Sequence, residues 1–285
     1  MNNDIFYHPS IDHLITLAIK EDLDTGDITG EAIFSNEAAT GRFVVKQDGV
    51  VSGLPMIEIV YKKLHLQSSV ECFFKDGDHV KKGDIVAEMH GEAKKLLTGE
   101  RTVLNFLQRM SGIATKASRF IGEMKEYKTK LLDTRKTLPG HRLLDKYAVT
   151  CGGASNHRMG LYDMFLIKDN HIAVAGSVTR AINNCRDYAV RQNLNVKLEV
   201  EVDTLAQFSE ALALKPDIIM LDNFSLEDIS KAVDMNRGTC LLEVSGGVRL
   251  EDVHSIAALG VDYISTGSLT HSVEALDISL DVELG

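Results

Sequence analysis

The chain has 285 residues, about two average domains by the soft rule of ~150 residues each, and is long enough to bury a core without staples. Its 41 Asp and Glu outnumber 31 Lys and Arg, a formal charge of −10 that disfavours a general binder of nucleic acid or of acidic membranes. No apolar run approaches the ~20 residues of a membrane span, and four scattered cysteines without a CxxC pair exclude a zinc ribbon or a thioredoxin-type motif.

The opening MNNDIFYHPS has no basic stretch before an apolar run, so a signal peptide is not expected and the cytoplasm is the expected location. Ser10 is expected to cap a first helix with Ile11, Leu14, Ile15, Ala18 and Ile19 on one face. Short strands follow, among them Arg42 to Lys46 and Val70 to Phe74. The segment FKDGDHVKKGDIVAEMHG, residues 74–91, reads as two strands, each followed by a glycine turn, much like a lipoyl or biotinyl carrier. It lacks a lysine at a hairpin tip in the carrier context, which argues against that role. A helix over 94–110 has Leu96, Leu97, Val103, Leu104, Leu107 and Met110 on its apolar side. Arg101, Asn105 and Gln108, at i, i+4 and i+7, form a polar stripe that is either solvated or lines a cleft.

Beyond residue 130 strands and helices alternate. Strands are expected at Lys130 to Asp133, Met164 to Lys168, Lys197 to Val202, Ile218 to Asp222, Cys240 to Val244 and Asp262 to Ser265. Helices are expected over about 178–193, 204–214, 225–236 and 250–259, two of them opening with capping pairs, Thr204 with Gln207 and Ser225 with Asp228. This alternation predicts right-handed crossovers and a parallel sheet. Too few residues remain for eight units, so an incomplete α/β barrel fits better than an open doubly wound sheet.

In such barrels the C-terminal strand ends form the mouth of the active site. The expected strands end in Asp133-Thr134-Arg135-Lys136, Lys168-Asp169-Asn170-His171, Asp222-Asn223 and Ser245-Gly246-Gly247. LEVEV, residues 198–202, places Glu199 and Glu201 on one face. Each has a bland alternative: Arg135 and Lys136 as loop charges, Glu199 as an interior ion-pair partner, His171 as a core or supporting histidine, CGGASNHRMG as a flexible connection. Together Arg101, Arg135, Lys136, His157, Arg158 and Lys168 are a cationic set in an acidic chain, suited to a small ligand with several negative charges. Glu201 and Asp222 offer hard oxygens for magnesium. Ser245-Gly246-Gly247 and Gly267-Ser268-Leu269 offer backbone amides for a phosphate.

The run DTRKTLPGHRLLDKYAVTCGGASNHRMGLYDMFLIKDNHI, residues 133–172, resembles the signature region of the quinolinate phosphoribosyltransferases. ERTVLNFLQ at 100–108, LEVEVDT at 198–204, IMLDNF at 219–224, LEVSGG at 242–247 and GVDYISTGSLTHS at 260–272 resemble other segments of that family, in the expected order. The resemblance implies an N-terminal α/β sandwich over 1–110, completed by the tail 271–285, beside an incomplete, type II phosphoribosyltransferase-like α/β barrel over 111–270. It implies decarboxylating transfer from 5-phosphoribosyl 1-pyrophosphate to quinolinate, giving nicotinate mononucleotide for NAD synthesis, with magnesium as cofactor. It also implies a homodimer or hexamer in which Arg101 reaches a neighbour's site, and no nucleic-acid or membrane partner. On the same ground Arg101, Thr134, Arg135, Lys136, His157, Arg158 and Lys168 would bind quinolinate, and Glu201 and Asp222 the magnesium and ribose side. Lys136, Lys168, Glu201 and Asp222 would carry the chemistry, and Ser245, Gly246, Gly247, Gly267, Ser268 and Leu269 the 5-phosphate. Ser268 stands where the family commonly has alanine, a small-for-small change.

Two other enzyme readings compete. A relative acting on a different pyridine would keep the phosphate cradle but would not need so many cations. A barrel using Lys168 as a Schiff-base lysine would need an apolar pocket around it, yet Asp169 and the other cationic candidates surround it.

Overall fold

A computed structural model describes residues 3–66 and 69–285. In chain order the first part comprises α1 (Pro9–Leu23), α2 (Ile28–Ile33), β1 (Ala38–Val45), β2 (Gly49–Val50), α3 (Pro55–Lys63), β3 (Val70–Cys72), β4 (His79–Val80), β5 (Ile85–Glu92) and α4 (Ala93–Glu123). Next come β6 (Lys130–Leu132), α5 (Arg142–Cys151), β7 (Phe165–Ile167), α6 (Asp169–Ala175), α7 (Val178–Gln192) and β8 (Leu198–Val202). The chain ends with α8 (Leu205–Leu214), β9 (Ile218–Asp222), α9 (Leu226–Asn236), β10 (Leu241–Ser245), α10 (Leu250–Ala257), β11 (Tyr263–Ser265), α11 (Ser268–His271) and β12 (Ile278–Leu284).

Two compact units emerge, one formed by residues 1–118, 137–153 and 269–285, the other by 119–136 and 154–268. In the first, an antiparallel sheet runs β12-β1-β5-β3. The C-terminal strand pairs with β1 from Ala39 opposite Leu284 to Val45 opposite Ile278. Arg42 bridges this sheet, reaching Glu88 at 2.7 Å and Glu283 at 2.8 Å. The polar stripe on α4 is put to use here, because Gln108 donates to the Ile278 carbonyl at 2.6 Å. Helix α4 runs on past residue 110, where the sequence reading ended it, to Glu123. At the start of the chain the cap is His8, not Ser10: Pro9 takes the first turn of α1, where its fixed φ costs nothing, and the His8 ring accepts the Ser10 N–H.

A buried ion pair fastens α5 within this unit. Asp145 is fully buried, and its carboxylate accepts from Arg109 Nε at 3.0 Å and Nη2 at 2.8 Å, and from the Leu138 N–H at 3.2 Å. Pro139-Gly140 makes the expected turn, with His141 N–H donating to the Leu138 carbonyl and Gly140 at φ +81.

The second unit is a six-stranded, wholly parallel sheet in the order β6-β11-β10-β9-β8-β7. Six strands rather than eight make it the incomplete barrel type. Its central strands read as near-continuous apolar runs because both faces are covered; Val200, Ile219, Leu221 and Ile264 are fully buried. Helices between them start where the sequence signals it: Ser177, Thr204 and Ser225 accept the N–H groups of Arg180, Gln207 and Asp228. Asn193, Lys215 and Arg237 end α7, α8 and α9 in the left-handed conformation.

Candidate active site

Parallel strands bring their C-terminal ends to one side, and the polar residues singled out by sequence sit there. β6 runs into Asp133-Thr134-Arg135-Lys136 and β7 into Lys168; β8 carries Glu201 next to its last residue. β9 ends on Asp222, β10 on Ser245, and β11 leads into Thr266-Gly267-Ser268. Arg101 and Leu269 belong to the first unit. The Arg101 side chain is exposed, with Nη2 3.6 Å from Glu100, whereas Leu269 is fully buried, so only its main chain could meet a ligand.

The cationic groups are held by the segment after α5. Ser155 N–H donates to the Leu131 carbonyl, and Asp133 N–H to that of Ser155, which lays this segment along β6. The fully buried Asp133 carboxylate then accepts the His157 N–H at 2.8 Å. Arg158 follows, half-buried, with Nη1 donating to the Met164 carbonyl at 3.4 Å. Burial, and then the charge on Arg135, pull the Arg158 guanidinium below its ordinary pKa. The charges of Glu199, Asp163 and Glu201 oppose that shift, and the two guanidinium groups suit a bound anion. Lys136 is exposed, and its N–H donates to Thr134 Oγ1 at 3.1 Å.

The acidic groups lie on β8 and β9. Lys168 Nζ donates to Glu201 Oε2. Burial raises the Glu201 carboxyl, Lys168 opposes that, and the charges of Asp222 and Asp169 add to it. Asp222 pairs in register with Ser245 on the next strand and accepts from Asn223 Nδ2 at 2.7 Å. Two neighbouring carboxylates, one raised by the other's charge, form a hard-oxygen donor set that fits magnesium, which commonly takes one or two carboxylates together with phosphate oxygens.

At the ends of β10 and β11 the backbone is specialised. Gly246 and Gly247 have φ of +88 and +59. A Cβ at Gly246 would stand 2.4 Å from Asn223 Oδ1 and 2.7 Å from the Asn223 nitrogen, so only glycine lets these chains pass. Ser265 Oγ donates to Ser245 Oγ at 3.0 Å, and the hydroxyls of Thr266 and Ser268 lie 3.0 Å apart. Successive glycine turns of this kind make anion-binding concavities.

The two histidines take different places. His171 is exposed, so it is not a core histidine; it supports the site as a helix cap, its Nδ1 accepting the Lys168 N–H at 2.9 Å. His157 Nε2 stands 3.0 Å from Glu199 Oε2 and 3.6 Å from Glu243 Oε2, both carboxylates being fully buried. Glu243 went unnoticed in the sequence, although alternation along LEVS puts it on the same face as Ser245. Burial, and then the charge of Glu199, push its carboxyl up to about 8. The folded chain therefore holds a proton there that the unfolded chain releases near its ordinary value of 4.5. That contribution to stability is complete below the ordinary value and is lost as pH rises toward about 8. Glu243→Gln is accordingly expected to gain on the parent by ~2–4 kcal/mol between about pH 5 and pH 8 in urea unfolding; a constant gap would contradict it.

Family models for the C-terminal and N-terminal domains of quinolinate phosphoribosyl transferase match residues 113–281 and 27–111. Over 277 residues the chain is 42% identical to a probable nicotinate-nucleotide pyrophosphorylase [carboxylating] of Bacillus subtilis, covering 97% of this chain and 95% of that one. The crystal structure of NadC from Streptococcus pyogenes aligns with a TM-score of 0.92 at 40% identity, covering 96% of each chain. The nicotinate-nucleotide pyrophosphorylase of Francisella tularensis aligns with a TM-score of 0.88 at 40% identity, covering 99% of this chain and 98% of that one.

Proposed function

This chain belongs to the quinolinate phosphoribosyltransferase family, and we propose that it transfers the phosphoribosyl group of 5-phosphoribosyl 1-pyrophosphate to quinolinate, releasing pyrophosphate and carbon dioxide and forming nicotinate mononucleotide. The observation that carries this reading is the gathering of half-buried Arg135 and Arg158 at the C-terminal strand ends, two guanidinium groups that suit a dicarboxylate.

In this reading Thr134, Arg135, Lys136, Arg158 and Lys168 orient the two carboxylates of quinolinate, with its ring nitrogen toward the ribose. Glu201 and Asp222 would hold magnesium against the pyrophosphate, and the glycine turns at Gly246-Gly247 and Gly267-Ser268-Leu269 would take the 5-phosphate. Magnesium, when bound, stabilises the charge of the departing pyrophosphate. As that group leaves, the ribose carbon becomes oxocarbenium-like, and the carboxylates of Glu201 and Asp222 face that positive charge. Attack by the pyridine nitrogen needs positioning rather than a protein nucleophile. The resulting pyridinium stabilises the electron pair left on the ring carbon beside nitrogen as the carbon–carboxylate bond breaks and carbon dioxide departs, and a proton from water then adds at that carbon. Engagement of Lys168 with Glu201 leaves no free amine for a Schiff base, which speaks against the rival lysine mechanism.

The same reading makes the protein a cytoplasmic homodimer or larger assembly, in which the exposed Arg101 serves a neighbouring chain's site. Four free cysteines suit a reducing compartment. Mixing inactive Arg101→Ala and Lys168→Ala chains should restore part of the activity; no recovery would place Arg101 elsewhere. Purified chain with magnesium and 5-phosphoribosyl 1-pyrophosphate should turn over quinolinate and leave nicotinate untouched. Turnover of nicotinate instead would overturn the assignment of the cationic groups.

A further inference from the structure

Alternation along β10 puts Glu243 and Ser245 on one face, and the parallel partner β11, with Ile264 opposite Val244, brings Ser265 beside them. Glu243 and Ser265 are buried, whereas Ser245 is half-buried at the strand end that runs into Gly246-Gly247. Hydroxyl groups thus lead from the interior of the sheet to the glycine turns, with Ser265 Oγ donating to Ser245 Oγ at 3.0 Å.

Ser265 has one hydroxyl hydrogen and two acceptors for it, Ser245 Oγ and the Glu243 carboxyl. An ionised Glu243 would draw that hydrogen inward. Ser245 would then turn its own hydrogen back onto Ser265 Oγ, and the glycine turns would meet a lone pair. The observed pairing is the opposite one, and among the described residues neither Glu243 oxygen has an aligned hydrogen-bond donor. A carboxylic acid accounts for both facts, because it needs no donor and supplies one. Burial and the charge of Glu199 favour that neutral form; His157 as a cation, Ser265 as a donor and the charge of Lys168 oppose it without prevailing.

We propose that Glu243 and Ser265 are positioning residues that aim the Ser245 hydroxyl at an anion seated in the glycine turns. Glu243 O–H is directed to Ser265 Oγ, Ser265 O–H to Ser245 Oγ, and Ser245 O–H to the anion, so that each hydroxyl accepts one hydrogen and donates one. Both residues act through Ser245. The inference rests on the reading of these turns as the 5-phosphate seat and extends that seat by two residues beneath it.

The test is calorimetric binding of ribose 5-phosphate to the full chain at pH 7 and pH 9, a range in which its phosphate stays a dianion. The parent should bind about 3–10-fold more tightly at pH 7, where Glu243 keeps its proton, than at pH 9. Ser265→Ala should bind at pH 7 about as weakly as the parent does at pH 9, and should change little between the two. Glu243→Gln, whose amide N–H replaces the acid O–H, should hold the tighter affinity at both. A pH response that survives in Glu243→Gln, or parental binding by Ser265→Ala, would overturn the relay while leaving the functional reading intact. No binding by the parent would overturn the phosphate seat on which both rest. A ligand-free arm follows the infrared carbonyl stretch of the protonated carboxyl group at pH 7, which should vanish in Glu243→Gln and shift in Ser265→Ala; a band indifferent to Ser265→Ala would contradict the relay whatever the ligand.

Discussion

Replacing Arg158 with alanine should lower kcat/KM for quinolinate about a thousandfold, ~4 kcal/mol, while shifting the melting temperature by no more than ~3 °C. The two expectations come from one arrangement. Arg158 is half-buried beside Arg135, and its guanidinium is disfavoured first by burial and then by that neighbour's charge. Its side-chain hydrogen bond is a long one, 3.4 Å to the Met164 carbonyl. Little folding energy is therefore lost with the side chain. A bound carboxylate would lose a charge-assisted, bidentate partner in a half-buried site, where such losses exceed those in water. Arg158→Lys should recover only part of the rate, because an ammonium cannot reproduce the fork. A variant with parental kcat/KM would remove Arg158 from the site.

Arg109→Met is expected to cost ~3–5 kcal/mol of stability, or ~10 °C in melting temperature, with no ligand involved. The substitution leaves the Asp145 carboxylate fully buried and without its two guanidinium bonds. Arg109 Nη2 also donates to the Thr270 carbonyl at 3.1 Å, so a buried acceptor loses its donor too. The double variant Arg109→Met/Asp145→Leu should regain much of the loss, since a matched apolar pair avoids the stranded charge. Equal destabilisation in the single and double variants, measured by thermal unfolding, would show that packing rather than the ion pair carries the effect.

Much of the second unit could be read directly from the chain. Its strands are buried on both faces, so they appear as unbroken apolar runs, and the caps at Thr204 and Ser225 mark the helices between them. The position of the candidate site was legible for the same reason, since polar residues that interrupt those runs at their C-terminal ends have few structural uses. Side-chain direction was not legible. His157 turns to Glu199 and Glu243, which arrive from strands much farther along the chain. His171 caps the short helix α6 through Nδ1, a role that no apolar periodicity announces. Gln108 seemed solvated or cleft-facing because its partner, the Ile278 carbonyl, belongs to the C-terminal strand.

The most direct test of the account is a time course with magnesium, 5-phosphoribosyl 1-pyrophosphate and quinolinate labelled with ¹³C in the carboxylate next to nitrogen. Labelled carbon dioxide, pyrophosphate and nicotinate mononucleotide should accumulate in equal amounts. Pyrophosphate released without labelled carbon dioxide, or label retained in the nucleotide, would contradict it.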